Sequence, residues 1–204
     1  MVVMGIPSSE IAGLATEYAA REPQALLGLA LERFENIAIS FSGAEDVVLV
    51  DMATRIRPGI GVFSLDTGRL HGETYRFLDK VRVRYGITLE ALSPDAPAVE
   101  RLVREKGLFS FYKDGHTECC GIRKVVPLRR KLATLDAWVT GQRKDQSPST
   151  RANVPVIQED AAFSTPDHRL VKLNPLANWS SAQVCRYIRD NDVDALAAKV
   201  QAAT

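Results

Sequence analysis

The sequence predicts an α/β protein built on an open, mostly parallel sheet with helices on both faces. Three observations carry that prediction. Short apolar runs alternate with longer stretches of helical periodicity along most of the chain, a pattern that pairs strands in parallel through right-handed crossovers. The run Ile37-Ala38-Ile39 enters a turn at Ser40-Phe41-Ser42-Gly43 and leaves it in the helical pattern Val47 to Ala53. Polar segments at Ser40 to Asp46, Asp66 to Arg69 and Gly141 to Arg151 follow predicted strands at their carboxyl ends, where open sheets of this kind hold ligands.

Residues before Asn36 read as two helices, since Ile11, Leu14, Ala15 and Tyr18 recur at helical spacing, as do Leu26, Leu27, Ala30, Leu31 and Phe34. Pro23 suits the start of the second, where its missing N–H costs nothing. Beyond the first strand, loop and helix, Arg57-Pro58-Gly59 makes a turn and Ile60 to Leu65 a second strand. Gly72 to Tyr85 is a helix with Tyr75, Leu78, Val81 and Val83 on its apolar side and Arg76, Lys80, Arg82 and Arg84 solvated. Ile87 to Leu92 is the third strand, Ala98 to Lys106 a short helix, Gly107 to His116 an aromatic-rich loop, Ile122 to Leu135 a helix and Ala137 to Thr140 the fourth strand. Two short strands, Val154 to Ile157 and Leu170 to Leu173, flank an irregular excursion, and Trp179-Ser180-Ser181 opens a last helix with Val184, Tyr187 and Ile188 inward. This divides the chain into N-terminal helices at 1–35 packed on a main α/β domain at 36–193, followed by an alanine-rich tail at 194–204.

The 204 residues, 46% of them hydrophobic, suffice for a real core in one domain. Lys and Arg number 26 against 25 Asp and Glu, a net charge of +1. That balance argues against a nucleic-acid or membrane-surface binder. No apolar run reaches the length of a membrane span, and Met1 to Glu10 lacks a secretory pattern, so the expectation is a cytoplasmic protein. Three cysteines, two of them adjacent at Cys119 and Cys120, do not make a disulfide framework.

Three segments carry chemistry. The junction at Ser40 to Asp46 brings a helix start, hydroxyls and the pliant Gly43 together, an arrangement suited to an anion such as phosphate, with Ser42 as an ordinary cap the plainer alternative. Gly141 to Arg151 crowds three cations, three amide or carboxylate partners and three hydroxyls after a predicted strand, and arginine's planar fork matches phosphate or sulfate oxygens. Glu118-Cys119-Cys120-Gly121-Ile122-Arg123-Lys124 sets two thiols beside two cations, which favours thiolate, the form that binds iron or zinc. Cys185, on a helix packing face, reads as a buried structural thiol. His71 and His116 lie in loops with no ligand spacing to a second His, and Asp46 and Asp66 read as loop hydrogen-bonding groups rather than metal ligands.

Four motifs in this order, Ser-Phe-Ser-Gly-Ala-Glu-Asp at 40–46, Leu-Asp-Thr-Gly-Arg-Leu at 65–70, Glu-Cys-Cys-Gly-Ile-Arg-Lys-Val-Val-Pro-Leu at 118–128 and Thr-Gly-Gln-Arg-Lys-Asp-Gln-Ser at 140–147, resemble the assimilatory sulfonucleotide reductases. The cysteine pair is similar to that of the iron–sulfur adenylyl-sulfate (APS) branch, whereas the 3′-phosphorylated APS (PAPS) branch generally lacks it. The resemblance implies an adenine-nucleotide α-hydrolase-like fold of the PP-loop type. It also implies that Ser40, Ser42, Gly43 and Asp46 meet the nucleotide phosphate, and that Leu65, Asp66, Thr67 and Gly68 meet the nucleoside. Lys124, Arg143 and Arg151 would engage the phosphosulfate, and Gly141 would line the pocket. Cys119 and Cys120 would be two of four ligands of a [4Fe-4S] cluster. The implied chemistry is attack of a C-terminal cysteine thiolate on the sulfate sulfur, departure of AMP, and reduction of the S-sulfocysteine by thioredoxin to release sulfite.

The chain departs from that pattern in its cysteine count. Four ligands and one nucleophile require five cysteines, and three are present. The expectation for this chain is therefore nucleotide binding without a complete cluster or a thiol nucleophile of its own. The competing expectations are a PAPS reductase, an ATP-pyrophosphatase-type adenylating enzyme, against which Ala44-Glu45 argues, and a catalytically inactive nucleotide-binding remnant. A homo-oligomer stays open.

Overall fold

In a computed structural model of the protein, residues 6–113 and 115–193 are described. The expected tail at 194–204 lies outside them.

Helices α1 (Ser8–Tyr18) and α2 (Pro23–Arg33) open the chain. Pro23 occupies the start of α2 as its fixed φ favours. Strand β1 (Ile37–Ser40) runs into the Ser/Gly loop, a single 3₁₀ turn at Ala44–Asp46, and then α3 (Val47–Ile56). Every residue from Val47 to Ala53 is buried. A helix apolar around its whole circumference must be covered on all sides, and α3 is indeed packed against α2, a fourth helix and the last helix of the chain.

Strand β2 (Gly61–Leu65), α4 (Gly72–Tyr85), β3 (Leu89–Leu92) and α5 (Ala96–Lys106) complete one half. On α4 the buried residues are Phe77, Leu78 and Val81, while Tyr75 and Val83 are 42% and 64% exposed. The apolar side is thus rotated from the expected one. The helix ends on Gly86 at φ +59°, the left-handed closure that glycine accepts without strain. Short helices α6 (Ser110–Lys113) and α7 (Thr117–Cys120) follow.

The helix expected over Ile122 to Leu135 begins earlier and is interrupted. From α7 the chain passes through a π turn at Gly121–Val125 into α8 (Val126–Leu132), with the Val126 N–H reaching back to the Gly121 carbonyl. Pro127 explains the interruption, because it has no N–H for the carbonyl four residues back and its ring would meet that carbonyl. Strand β4 (Ala137–Val139), short α9 (Pro148–Arg151), β5 (Ile157–Glu159), β6 (Val171–Leu173) and α10 (Ser181–Asp190) finish the fold. Ser180 caps α10 by accepting from the Gln183 N–H.

The sheet order is β3-β2-β1-β4-β6-β5, parallel except for β5, which pairs antiparallel with β6. The expected strand at Val154 to Ile157 is displaced toward Glu159. Pro155 cannot donate to a ladder, and its carbonyl instead accepts from Asn174 Nδ2 at 2.9 Å. The chain order reverses between β1 and β4, with β2 and β3 to one side and β6 and β5 to the other. That reversal opens a crevice at the carboxyl ends of β1 and β4.

Behind α3, the buried Asp51 carboxylate accepts from Tyr187 (2.7 Å), Tyr85 (3.1 Å) and Arg55 (3.0 Å), tying α10 and α4 to α3. Burial, with Asp51 adding, pushes the Tyr85 hydroxyl up to about 12. Among the described residues no helix is long and apolar enough to cross a membrane.

Candidate functional site

The crevice between β1 and β4 is a cleft of about 420 Å³. Ser40, Ser42, Gly43, Glu45 and Asp46 line it from the β1 side, Trp138, Thr140, Gly141 and Gln142 from β4, Leu65 from β2 and Leu128 from α8. Gln146 and Arg151 close it from the loop beyond β4. The topology thus brings together segments a hundred residues apart because their strands are neighbours.

The loop after β1 is organised around Asp46. Its Oδ2 accepts from the Ser42 N–H (2.7 Å), the Ser42 hydroxyl (2.8 Å) and the Gly43 N–H (2.9 Å). Ser42 therefore donates rather than caps, and the two amides expected to face an anion are already engaged by a carboxylate inside the protein. Any anion seated on this loop would have to displace Asp46 from them. Burial raises the Asp46 pKa, with the three hydrogen bonds acting against it. Across the cleft Gly141 has no room for a side chain, because a β-carbon there would overlap Asp46 Oδ1.

Arg143 stands beside the cleft rather than in it. Its side chain is 2% exposed, and its guanidinium donates to Glu45 (2.6 Å), Asp145 (3.0 Å) and Ser181 (3.0 Å). Burial disfavours its charge, yet Glu45 and Asp145 together raise its pKa. Arg143, expected at the phosphosulfate, is not among the residues that line the cleft, and its guanidinium is engaged within the protein. Arg143 neutralises Glu45, a carboxylate at the cleft, and fastens the loop to the start of α10. Arg151 does line the cleft, held by Gln146 Oε1.

A second cavity of about 280 Å³ is lined by Thr67, Arg69, Phe111, His116, Cys119, Cys120, Arg123 and Lys124. It neighbours the first, since Leu65 and Thr67 belong to one strand end and Lys124 and Leu128 to one helical run. Lys124 is here with the thiols, not with Ser42 and Arg151. Arg123 is 6% exposed, and its Nη1 donates to the Thr67 carbonyl at 2.7 Å. Its Nε has no hydrogen-bond partner among the described residues. Arg69 stacks on Phe111, 4.6 Å from the ring centre. Gly68, at φ +69°, turns the chain under Arg123, and Asp66 accepts from the Gly68 N–H and the Tyr75 hydroxyl, both at 2.8 Å.

The thiols of Cys119, Cys120 and Cys185 are half-buried and unpaired in disulfides. Cys185 on α10 is thus not fully buried, and it lines neither cavity. Among the described residues no group of three or more His, Cys, Asp or Glu side chains converges as a metal site. Cys119 and Cys120 alone cannot complete a four-iron cluster, so the described residues do not by themselves fit one.

The sequence marks Trp138 as a core residue, and it is buried, but it gives no individual role to Lys172, Gln142 or Gln146. Lys172 Nζ reaches Gln142 Oε1 at 3.1 Å and lies 5.1 Å from the Trp138 ring centre. Trp138 in turn donates to Asp160 at 3.1 Å. The lone lysine in an apolar strand, Val171-Lys172-Leu173, was the available signal.

Residues 36–197 match the phosphoadenosine phosphosulfate reductase domain. The chain is 59% identical over 181 residues to an adenosine 5′-phosphosulfate reductase of Pseudomonas aeruginosa, covering 88% of this chain and 68% of that protein. It is 53% identical over 184 residues to the chloroplastic 5′-adenylylsulfate reductase 1 of Arabidopsis thaliana, covering 88% of this chain and 40% of that one. The fold matches a phosphate complex of phosphoadenylyl-sulfate reductase from Candida auris with a TM-score of 0.74 at 26% identity, over 93% of this chain and 89% of that. An NH3-dependent NAD synthetase of Campylobacter jejuni shares the fold alone, with a TM-score of 0.54 at 5% identity over 87% of this chain and 73% of that.

Proposed function

The chain belongs to the phosphoadenosine phosphosulfate reductase family, and from that premise we propose that it acts on adenylyl sulfate (APS) in assimilatory sulfate reduction, yielding sulfite and AMP. One observation carries the reading. A nucleotide-sized cleft at the β1/β4 crevice adjoins a second cavity that holds three cations and two neighbouring thiols. The AMP half belongs in the first, against Ser40, Ser42, Gly43, Asp46, Gly141 and Arg151, with Leu65 to Gly68 at the nucleoside. The sulfate half reaches toward Lys124 in the second. Similarity to relatives with APS-directed names at 53–59% identity favours APS over its 3′-phosphorylated form.

In the proposed reaction a cysteine thiolate attacks the sulfate sulfur and the bond from sulfur to the phosphate oxygen breaks. AMP departs with that electron pair. Arg151 and Lys124 offset the charge that gathers on the phosphate and sulfate oxygens. A dithiol reductant, thioredoxin by family resemblance, then cleaves the S-sulfocysteine, releasing sulfite as its own thiols become a disulfide. Among the described residues no cysteine lines the first cleft, so the nucleophile comes from outside it. We further propose that Cys119 and Cys120 would be two of the four thiolates that a [4Fe-4S] cluster needs, the described residues offering no second pair. Titration calorimetry of the full chain with AMP and with APS tests the central reading. Both are expected to bind, and the absence of heat with either nucleotide would sink it. Iron and acid-labile sulfide after anaerobic purification test this: the chain is expected to fall short of a full cluster and to lose any iron it holds in Cys119→Ser, and a stoichiometric cluster that survives Cys119→Ser would refute the ligand assignment.

A further inference from the structure

Gln142 and Gln146 stand on the wall of the first cleft with their carboxamide oxygens already taken. Gln142 Oε1 accepts from Lys172 Nζ at 3.1 Å. Gln146 Oε1 accepts from the Arg143 N–H at 3.2 Å and from an Arg151 guanidinium N–H. Ammonium, guanidinium and backbone N–H groups only donate, so the atom facing each of them must be the oxygen. Rotating either amide end for end would set an NH2 against a cation. The free end of each amide is therefore its NH2.

Lys172 is itself held in place. It lies on β6 opposite Trp138 in register, half-buried, with its ammonium over the Trp138 ring. Burial lowers its pKa, with Asp160 acting against that shift and Arg151 adding to it. On the opposite wall the Ser42 and Gly43 amides are spent on Asp46. The glutamine side offers amide donors for an anion that leave these internal hydrogen bonds intact, and across the cleft the Ser40 hydroxyl is a further one.

We infer that Gln142 and Gln146 donate their NH2 groups to the tetrahedral oxyanion of the ligand, a sulfuryl or phosphoryl group, and that Lys172 is a positioning residue that turns Gln142 toward it. The identity of the nucleotide rests on the function proposed above, while the donor arrangement does not.

The experiment uses the ¹⁵N-labelled full chain titrated with sodium sulfate and, separately, with inorganic phosphate. The Gln142 side-chain NH2 signals, assigned by their loss in Gln142→Glu, are expected to shift on titration. A larger response to one anion assigns the sulfuryl or the phosphoryl group. Gln142→Glu is isosteric and keeps an acceptor for Lys172, so it is expected to retain the thermal midpoint while weakening anion affinity at least fivefold. Lys172→Met is expected to weaken it similarly, and Lys172→Arg to stay within twofold of the parent, a rescue that a merely structural lysine would not require. Gln142 signals indifferent to both anions, or unchanged affinity in a folded Gln142→Glu, overturn the inference. The Glu variant decides the matter if Lys172→Met does not fold. Anion-induced shifts without AMP or APS heat would overturn the nucleotide reading instead and leave this one standing.

Discussion

Gly141 and Asp46 compete for one volume: a β-carbon on the glycine that follows β4 would overlap the Oδ1 of the aspartate that follows β1. The two walls of the cleft are therefore fitted to each other at the point where strand order reverses. Gly141→Ala is expected to cost about 1–3 kcal/mol, the range for forcing an extra methyl group into a packed site. Denaturant unfolding measures it, and an unchanged midpoint would show that Asp46 moves aside freely.

Asp46 also predicts a pH dependence. Its pKa in the folded protein lies above the ordinary 3.8, chiefly through burial, so the folded state holds that proton more tightly than the unfolded chain. The folded state then binds more protons than the unfolded one, and this group's contribution to stability falls as pH rises from about the ordinary value toward the raised one. Asp46→Asn cannot ionise. The stability of the parent relative to Asp46→Asn is expected to decline with rising pH across that window, as read from urea midpoints, and parallel pH profiles would refute the assignment.

Removing Arg143 strands two carboxylates. Glu45 and Asp145 are 38% and 33% exposed, so water offsets part of the loss. Arg143→Met is expected to cost about 2 kcal/mol, below the 3–5 kcal/mol of a fully buried pair. Lysine lacks the fork that reaches Glu45, Asp145 and Ser181 at once, so Arg143→Lys is expected to recover less than half of that. Full recovery by lysine in chemical denaturation would reduce the network to a simple charge contact.

Arg151 and Lys124 separate the two halves of the proposed ligand. Arg151→Ala is expected to weaken both AMP and APS more than tenfold, because Arg151 lines the first cleft. Lys124→Ala is expected to weaken APS more than tenfold and AMP by less than threefold, because Lys124 lines the neighbouring cavity. Equal losses for AMP and APS in the Lys124 variant, measured calorimetrically, would merge the two cavities into one site.

Much of the fold was readable from local pattern. The Gly72–Tyr85 helix has the bounds its periodicity and Gly86 dictate, and the run from Ile37 through Ala53 gives the strand, loop and helix that its apolar residues require. The α4 face was misjudged because Tyr75 and Val83 are apolar by composition, whereas burial follows which side meets α3. The π turn before Pro127 was legible in principle, since proline's missing N–H is a local fact.

The sequence by itself determined the order of strands and helices, the three polar loops that follow the strands and the residue types in them, because periodicity and turn chemistry act within a few residues. Only the tertiary structure decided which of those residues line the cleft. Arg143 is turned inward to Glu45, Asp46 takes the Ser42 and Gly43 amides, Lys124 keeps company with the thiols, and Lys172 arrives from a distant strand to bond Gln142. Each of those outcomes depends on which partner lies within hydrogen-bond reach across the sheet, a distance that no local pattern encodes.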